Sequence, residues 1–386
     1  MRARWTALLA AVSALALLAS GCTTHSDVPE ATAVGSADLA VYITEFTNGV
    51  PASGRVVLYD HTGPIAMVNN SGIRVPDMIW DQHGLFFLDM TTTYQLSDHL
   101  EQQVREQRNG RPDDTLVSMT GNGNGSRLVL FNDGLWDGHN HFGIGLFDGT
   151  HETSHAVLLD SLGGAVSWCA NSFWLATELG GGDMRDRSAF FRLTNGPIAA
   201  PQQLGTTRTG VTLDSRNTPC HSDRIITLTY PTAADNQPLE IWQTQLSDGS
   251  VTRTPLIDQH HKPIRLPLNA HRSSSTAPRW LDGNTLVWID NLGVAHRSDL
   301  TTGITTTIRD GMIANVAPTR NWVRTGNWLV AYEPLPDRTG TLHIYSIDNN
   351  LTQVETRTLP KLADLTPSDQ RVMAIAISPT FTPHNP

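Results

Sequence analysis

The sequence predicts an all-β chain: a seven-bladed β-propeller spanning residues 38–386 and closed by its C-terminal strand. Three periodic features predict it. The first is a series of turn signals near Asp60-His61-Thr62-Gly63, Ser97-Asp98-His99, Asp148-Gly149, Thr194-Asn195-Gly196, Ser247-Asp248-Gly249, Thr301-Thr302-Gly303 and Asp348-Asn349-Asn350. They recur every ~40 to 55 residues, the period of a four-stranded propeller blade. The second is a strongly apolar run before each turn: Leu39–Phe46, Leu85–Met90, Arg127–Phe131, Ser172–Thr177, Arg224–Tyr230, Asn284–Ile289 and Asn327–Tyr332. Short apolar runs bounded by turn residues are strands buried on both faces, as stacked blades require. The third is a less apolar strand before each run, at Val75–Trp80, Thr115–Thr120, Ala165–Cys169, Val211–Asp214, Thr276–Leu281 and Val316–Val323. The blade begun at Leu39 lacks one. Its counterpart is Arg371–Pro379 at the far end of the chain, which is expected to return to that blade, close the ring and leave no open edge.

The clearest unit is Leu239–Ile257, an apolar run, a Ser-Asp-Gly-Ser turn and a Thr- and Val-bearing return strand. Asp-Gly between β-formers is a hairpin signal because Gly accepts the positive φ of a tight turn. Helical signal is scarce. Asp98–Arg108, rich in Glu and Gln, reads either as a short helix inserted after the second blade or as a solvated outer strand.

Composition bounds the partners. The chain has 386 residues, 39% of them hydrophobic, with ten Trp, which is too apolar for disorder. A net charge of -10 argues against nucleic acid as a partner. Lys262 and Lys361 are the only lysines, so nearly all positive charge is Arg, a bias read as compositional.

The N-terminus stands apart. Arg2 and Arg4 precede an apolar run from Ala7 to Leu18, then Ala19-Ser20-Gly21-Cys22. A basic start, a short apolar core and small residues read as a secretory signal, and the run is too short for a membrane span. It resembles a bacterial lipoprotein signal peptide, although Ala19 stands where that family usually has Leu. The resemblance implies cleavage after residue 21 and lipidation of Cys22, hence an extracytoplasmic protein held at a membrane surface. Residues 22–37, polar and aperiodic, read as a flexible tether. Cys169 and Cys220 remain, at near-equivalent positions in consecutive blades. An exported chain with two such cysteines is expected to pair them.

The chemical motifs are weak. His151-Glu152-Thr153-Ser154-His155 matches H-E-x-x-H, but that zinc site needs a helix. Here the motif directly follows the Asp148-Gly149 turn, in the place of a return strand. His139 and His141 lie two apart on the preceding strand. One residue of register across this turn decides whether His139, His141, His151 and His155 share a face and can hold zinc. A second histidine group, His260, His261 and His271, lies in a Pro-containing connection and reads as a solvated loop. The loops joining second and third strands read as long at Thr47–Gly54, Asn132–Asn140, Leu179–Arg187, Pro231–Pro238 and Glu333–Gly340, and in a propeller they emerge on one face. Trp136, Asp183, Arg185, Asp186 and Arg187 are the candidate contact residues there. No nucleophile elbow, dinucleotide fingerprint or calcium loop occurs.

The signal and repeat pattern together resemble bacterial envelope lipoproteins that carry a β-propeller of the WD-repeat or TolB-like type. The anchor, the loop asymmetry and the lack of catalytic motifs lead to the expectation of a monomeric, lipid-anchored binding or scaffold protein that holds an envelope protein or glycan on its long-loop face. Extracytoplasmic zinc binding or delivery is the alternative, motivated by the 15 His. A hydrolase or lyase acting at the channel mouth is the third.

Overall fold

The computed structural model describes residues 28–45, 53–105, 115–136, 139–179, 187–193, 201–212, 218–230, 237–265, 279–290, 292–313 and 321–384. Their strands form seven antiparallel sheets, one per blade. Blade 1 is built from both ends of the chain. Its inner strand, Gln370–Ile377, pairs with Leu39–Glu45 from Leu39↔Ile377 to Glu45↔Gln370, and Gly54–Tyr59 and Pro64–Asn70 follow outward. The ring is therefore closed by the C-terminal strand, as the repeat count requires. Arg357 adds a second closure, its Nη1 lying 3.0 Å from Asp38 Oδ2 across the junction of blades 7 and 1.

The six other blades follow in chain order, each written from the inner strand outward. Blade 2 is Met78–Asp81, Gly84–Leu88, Thr92–Leu96 and Leu100–Val104; blade 3 is Leu116–Gly121, Ser126–Trp136, His139–Asp148 and His151–Leu159. Blade 4 is Ser161–Cys169, Ser172–Leu179, Arg187–Leu193 and Gln202–Thr209. Blade 5 has an inner strand in two pieces, Val211–Thr212 and Cys220–His221, then Arg224–Tyr230, Glu240–Gln245 and Val251–Pro255. Blade 6 is Trp280–Asp282, Thr285–Ile289, Ala295–Asp299 and Thr305–Arg309; blade 7 is Trp322–Thr325, Trp328–Pro334, Gly340–Ser346 and Thr352–Thr358. Leu362–Leu365 is a single helical turn.

The apolar second strands show why the blades stack. Successive side chains of a strand point to opposite faces. Leu39, Val41 and Ile43 pack with blade 7, among Val330 and Ile344. Ala40 and Tyr42, between them, pack with blade 2, among Phe87 and Leu88. Both faces are buried, so the run is apolar throughout instead of alternating. Each fully buried Leu, Ile or Val contributes about 1.5–3 kcal/mol.

Arginine supports the same interfaces. Arg127 of blade 3 is fully buried, its guanidinium 4.7 Å from the Phe86 ring of blade 2 and its Nη2 3.2 Å from Asp81 Oδ2. Arg105 of blade 2 lies over Phe131 of blade 3, Arg309 of blade 6 over Tyr345 of blade 7, and Arg324 of blade 7 over Trp280 of blade 6. A planar, weakly hydrated guanidinium stacks on an aromatic face where an ammonium would lose more hydration. The scarcity of lysine thus has a structural use that composition alone did not reveal.

Three expectations need correction. Residues 28–37 are not tether. Val28 and Ala31 are buried, Glu30 bridges Met67 on the outer strand of blade 1, and Val34 N donates to Ser97 O of blade 2. A single bridge on a blade edge carries no sequence period, which is why the segment reads as coil. The helix alternative for Asp98–Arg108 also fails, because Leu100–Val104 is the outer strand of blade 2. Finally, two of the five long loops are shorter than expected. Asn132–Asn140 lies largely in a hairpin closed by Trp136↔His139, and Glu333–Gly340 reduces to a five-residue loop, Leu335–Thr339, whose flanks pair at Pro334↔Gly340. The lipidation candidate Cys22 and the signal segment lie outside the described residues.

Candidate functional site

The two faces of the ring differ in construction. On one, first strands turn into second and third into fourth through short turns organised by aspartate. Asp299 Oδ1 accepts from the amides of Thr301 and Thr302 at 3.0 and 2.7 Å, and Asp60 Oδ1 does the same for Thr62 and Gly63. An Asx turn of this kind fixes the chain reversal locally. The other face carries the connections between second and third strands and between blades.

Among the described residues, that second face carries the most exposed apolar side chains. Val104, 75% exposed, ends the outer strand of blade 2. Leu135, 68% exposed, lies near the tip of the blade 3 hairpin, and Leu292, 61% exposed, lies in the blade 6 connection from Asp290 to Val294. The two hairpin strands of blade 3 have 11 and 10 residues, against five and five in blade 2, so the hairpin projects beyond its neighbour. Leu292 is held by Asp290, whose Oδ1 accepts from the amides of Leu292 and Val294, both at 2.9 Å. Sequence reasoning named none of these three leucines and valines. An isolated apolar residue in a polar connection was their only signal.

Of the candidate contact residues on this face, Arg187 begins the third strand of blade 4 and is exposed, and Trp136 ends a strand of the projecting hairpin. Asp183, Arg185 and Asp186 lie outside the described residues.

The histidines are placed by a bulge. H-E-x-x-H lies on a strand, His151–Leu159, as its position after the turn predicts. Asp148 pairs with His151 and Phe147 with Glu152, but Leu146 pairs with Ser154, leaving Thr153 as the extra residue. His155 therefore faces Gly145, in phase with His141 and His139, whereas His151 is out of step. The four do not gather. His139 Nδ1 lies 2.9 Å from Asp160 Oδ2, Gln103 Nε2 donates to His151 Nδ1 at 3.0 Å, and His155 Nδ1 lies 3.8 Å from Glu152 Oε1. No group of three or more His, Cys, Asp or Glu among the described residues is arranged to hold a metal ion. The same strand face carries Glu152 of that motif and Asp133, which sequence reasoning did not single out. A Cβ at Gly143 would meet Asp133 Oδ2 at 2.8 Å, and one at Gly145 would meet Glu152 Oε1 at 2.8 Å. Gly143 lies under the Asp133 carboxylate, and Gly145 under both the Phe147 ring, which a Cβ there would meet at 2.7 Å, and the Glu152 carboxylate, so neither position has room for a side chain.

The ring axis holds a cavity of ≈ 300 Å³ between the inner strands of blades 7, 1, 2 and 3. Asp77, Trp80, Asp81, Thr120, Trp322 and Arg324 are on its wall. Asp77 is buried and accepts from Met78 N at 2.9 Å, and Asp81 is held by Arg127. Burial lowers the pKa of the Arg324 guanidinium. Beside the axis, Cys169 at the end of the blade 4 inner strand and Cys220 in the second piece of the blade 5 inner strand form a disulfide with Cα atoms 5.6 Å apart. The predicted pairing is thus present.

No protein-family profile and no curated protein matches the chain. Several solved structures do. The WD40 β-propeller domain of Doa1 is 14% identical, covering 74% of this chain and 83% of its own, with a TM-score of 0.45. BamB from Moraxella catarrhalis is 11% identical, with coverage of 82% and 87% and a TM-score of 0.42. Apo AztD from Citrobacter koseri is 11% identical, with coverage of 88% and 97% and a TM-score of 0.43. Likeness at this level concerns the fold alone.

Proposed function

We propose that this chain is a lipid-anchored, extracytoplasmic binding protein that holds an envelope protein on the face carrying the second-to-third strand connections. The observation that carries the reading is the exposure of Val104, Leu135 and Leu292 on that face. Exposed apolar anchors on a rigid, closed scaffold suit association with another protein surface. The disulfide supports an oxidising compartment, since such bonds are rare in the cytosol. The apolar run before Cys22 supports export and anchoring. The other large exposed apolar side chains among the described residues are less exposed, 41% at Val157 and 38% at Ile304.

The test is capture from detergent-solubilised envelope with the intact protein, followed by mass spectrometry. Three variants are compared with wild type: Leu135→Glu with Val104→Glu, Leu292→Glu, and Ile304→Glu on the opposite face as control. One partner lost with the first or second variant and kept with the third is the expected result. Capture insensitive to both face variants, or no partner at all, would sink the reading.

A further inference from the structure

On the face built from short turns, a groove of ≈ 420 Å³ lies between blades 5 and 6, the size of a small-ligand site. Its wall comes from turns and strands that meet only because the two blades stack. Asp223 and Arg224 belong to the turn between the first and second strands of blade 5, Gln243 and Thr252 to its two outer strands, and Asn284 and Thr301 to turns of blade 6. Gln243 is half-buried and the other five are exposed. Deeper in the same interface Ile226 and Ile241 pack with Leu286 and Leu300, so the polar mouth stands on an apolar floor.

The polar groups of this wall are fixed through one atom and open at another. Gln245 fixes two of them: its Oε1 accepts from Arg224 Nε at 3.0 Å, and its Nε2 donates to Asp223 Oδ2. The two terminal nitrogens of Arg224, and Asp223 Oδ1, keep no partner among the described residues. Gln243 Nε2 donates to Leu300 O at 3.0 Å, and Asn284 Nδ2 donates to Asp299 Oδ2 and Thr301 Oγ1 at 3.3 and 3.1 Å. Each amide is thereby oriented with its oxygen left to accept. The turn that carries Asp223 and Arg224 follows Cys220 directly, and the disulfide to blade 4 holds it from behind. Donors and acceptors are therefore in place before a ligand arrives, which lowers the ordering cost of binding.

We propose that this groove binds a neutral saccharide, about one or two sugar units on its volume. A sugar hydroxyl donates and accepts at once, so it suits a wall that sets an arginine fork beside carboxylate and amide oxygens. The Arg224 terminal nitrogens donate to neighbouring hydroxyls, Asp223 Oδ1, Gln243 Oε1 and Asn284 Oδ1 accept from others, and the Thr252 hydroxyl does either. Asp223 beside Arg224 cancels the charge of the wall, so an anion gains little from the arginine and faces a carboxylate. The site lies on the other face from the proposed partner surface and depends neither on that partner nor on an anchor.

The test is saturation-transfer NMR and calorimetric titration of the purified chain. The neutral probes are glucose, N-acetylglucosamine, maltose, cellobiose and chitobiose, and the anionic probe is glucuronate. At least one neutral probe is expected to bind one-to-one, with glucuronate about tenfold or more weaker than that probe. Arg224→Gln and Asn284→Ala, both at exposed positions, are expected to fold normally, as checked by circular dichroism. They should weaken binding about tenfold and about fivefold. Asp223→Asn removes the charge and should narrow the gap between glucuronate and the neutral probe. A Kd above about 10 mM for every neutral probe overturns the proposal. So does glucuronate binding better than all of them, or binding that neither Arg224→Gln nor Asn284→Ala weakens.

Discussion

Removing the Cys169–Cys220 bridge is expected to weaken blade 5 first and the whole ring second. The inner strand of blade 5 is interrupted. It makes four ladder pairs, Val211↔Tyr230, Thr212↔Thr229, Cys220↔Ile225 and His221↔Arg224, in two pieces. The blade 4 inner strand beside it runs unbroken from Ser161 to Cys169. The disulfide ties the weak strand to the strong one, and Ser167 Oγ, donating to Thr218 O at 2.6 Å, is the nearest other tie. The bridge spans a sequence separation of 51. On the chain-entropy relation a loop of that length loses about 14 cal/mol/K in the unfolded state, or about 4 kcal/mol at 25 °C. Engineered and native bridges often deliver less, so the expected loss in Cys169→Ala/Cys220→Ala is about 2–4 kcal/mol. Urea denaturation measures it, and amide hydrogen exchange locates it. Exchange at Ile226, whose N–H donates to Pro219 O, should rise more than exchange at Leu130 in blade 3. A midpoint unchanged within about 0.5 kcal/mol, or a rise in exchange spread evenly over the blades, would refute the idea that the bridge carries this strand.

Three other outcomes are expected. Arg127→Met leaves Asp81 without its cation in a largely buried position, and should cost about 3–5 kcal/mol by chemical denaturation; adding Asp81→Asn should recover part of that loss, and a double variant no better than the single would contradict the pairing. Ending the chain after Asp369 removes the inner strand Gln370–Ile377, exposes the edge of Leu39–Glu45 and should convert the protein to aggregates on size exclusion; a soluble monomer would mean that closure is dispensable. The Asp299 carboxyl is held below the usual carboxylate range chiefly by the Thr302 amide, and that of Asp337 chiefly by the Thr339 hydroxyl. Both stabilise the fold above the unfolded carboxylate value of about 4 and lose that contribution as pH falls through their lower folded values, so the melting temperature should drop mainly below about pH 4, and less steeply in Asp299→Ala/Asp337→Ala.

The fold was legible because its signals are local and repeated. Turns such as Asp148-Gly149 and Ser247-Asp248-Gly249 declare themselves within four residues, and the apolar second strands are buried on both faces, so no register is needed to see them. Arg224–Tyr230 was bounded from sequence as it stands in the structure. The unclosed first blade pointed to its missing strand by arithmetic alone. What escaped was whatever depends on a neighbour distant in sequence. Residues 28–37 dock through Glu30↔Met67 and Val34 N to Ser97 O, single contacts that no period announces. The arginines escaped for the same reason: Arg309 and Tyr345 meet only because adjacent blades stack.

The candidate site was less legible, and blade 3 shows the physical cause. A strand places its side chains by parity, so a cluster of four histidines needs both strands in one phase. The bulge at Thr153 changes the phase between His151 and His155, and Thr153 is held there by its hydroxyl, which donates to Leu146 O at 3.1 Å. A threonine within a run of polar residues gives no warning of that. The opposite inference is available in Gly143 and Gly145. Two glycines at i and i+2 in a strand weaken it and vacate one face, so something must lie over that face. In this chain the occupants are the Asp133 carboxylate over Gly143, and the Phe147 ring with the Glu152 carboxylate over Gly145. The alternating glycines, more than the histidines beside them, marked where an aromatic ring and two carboxylates crowd the strand between blades 2 and 3.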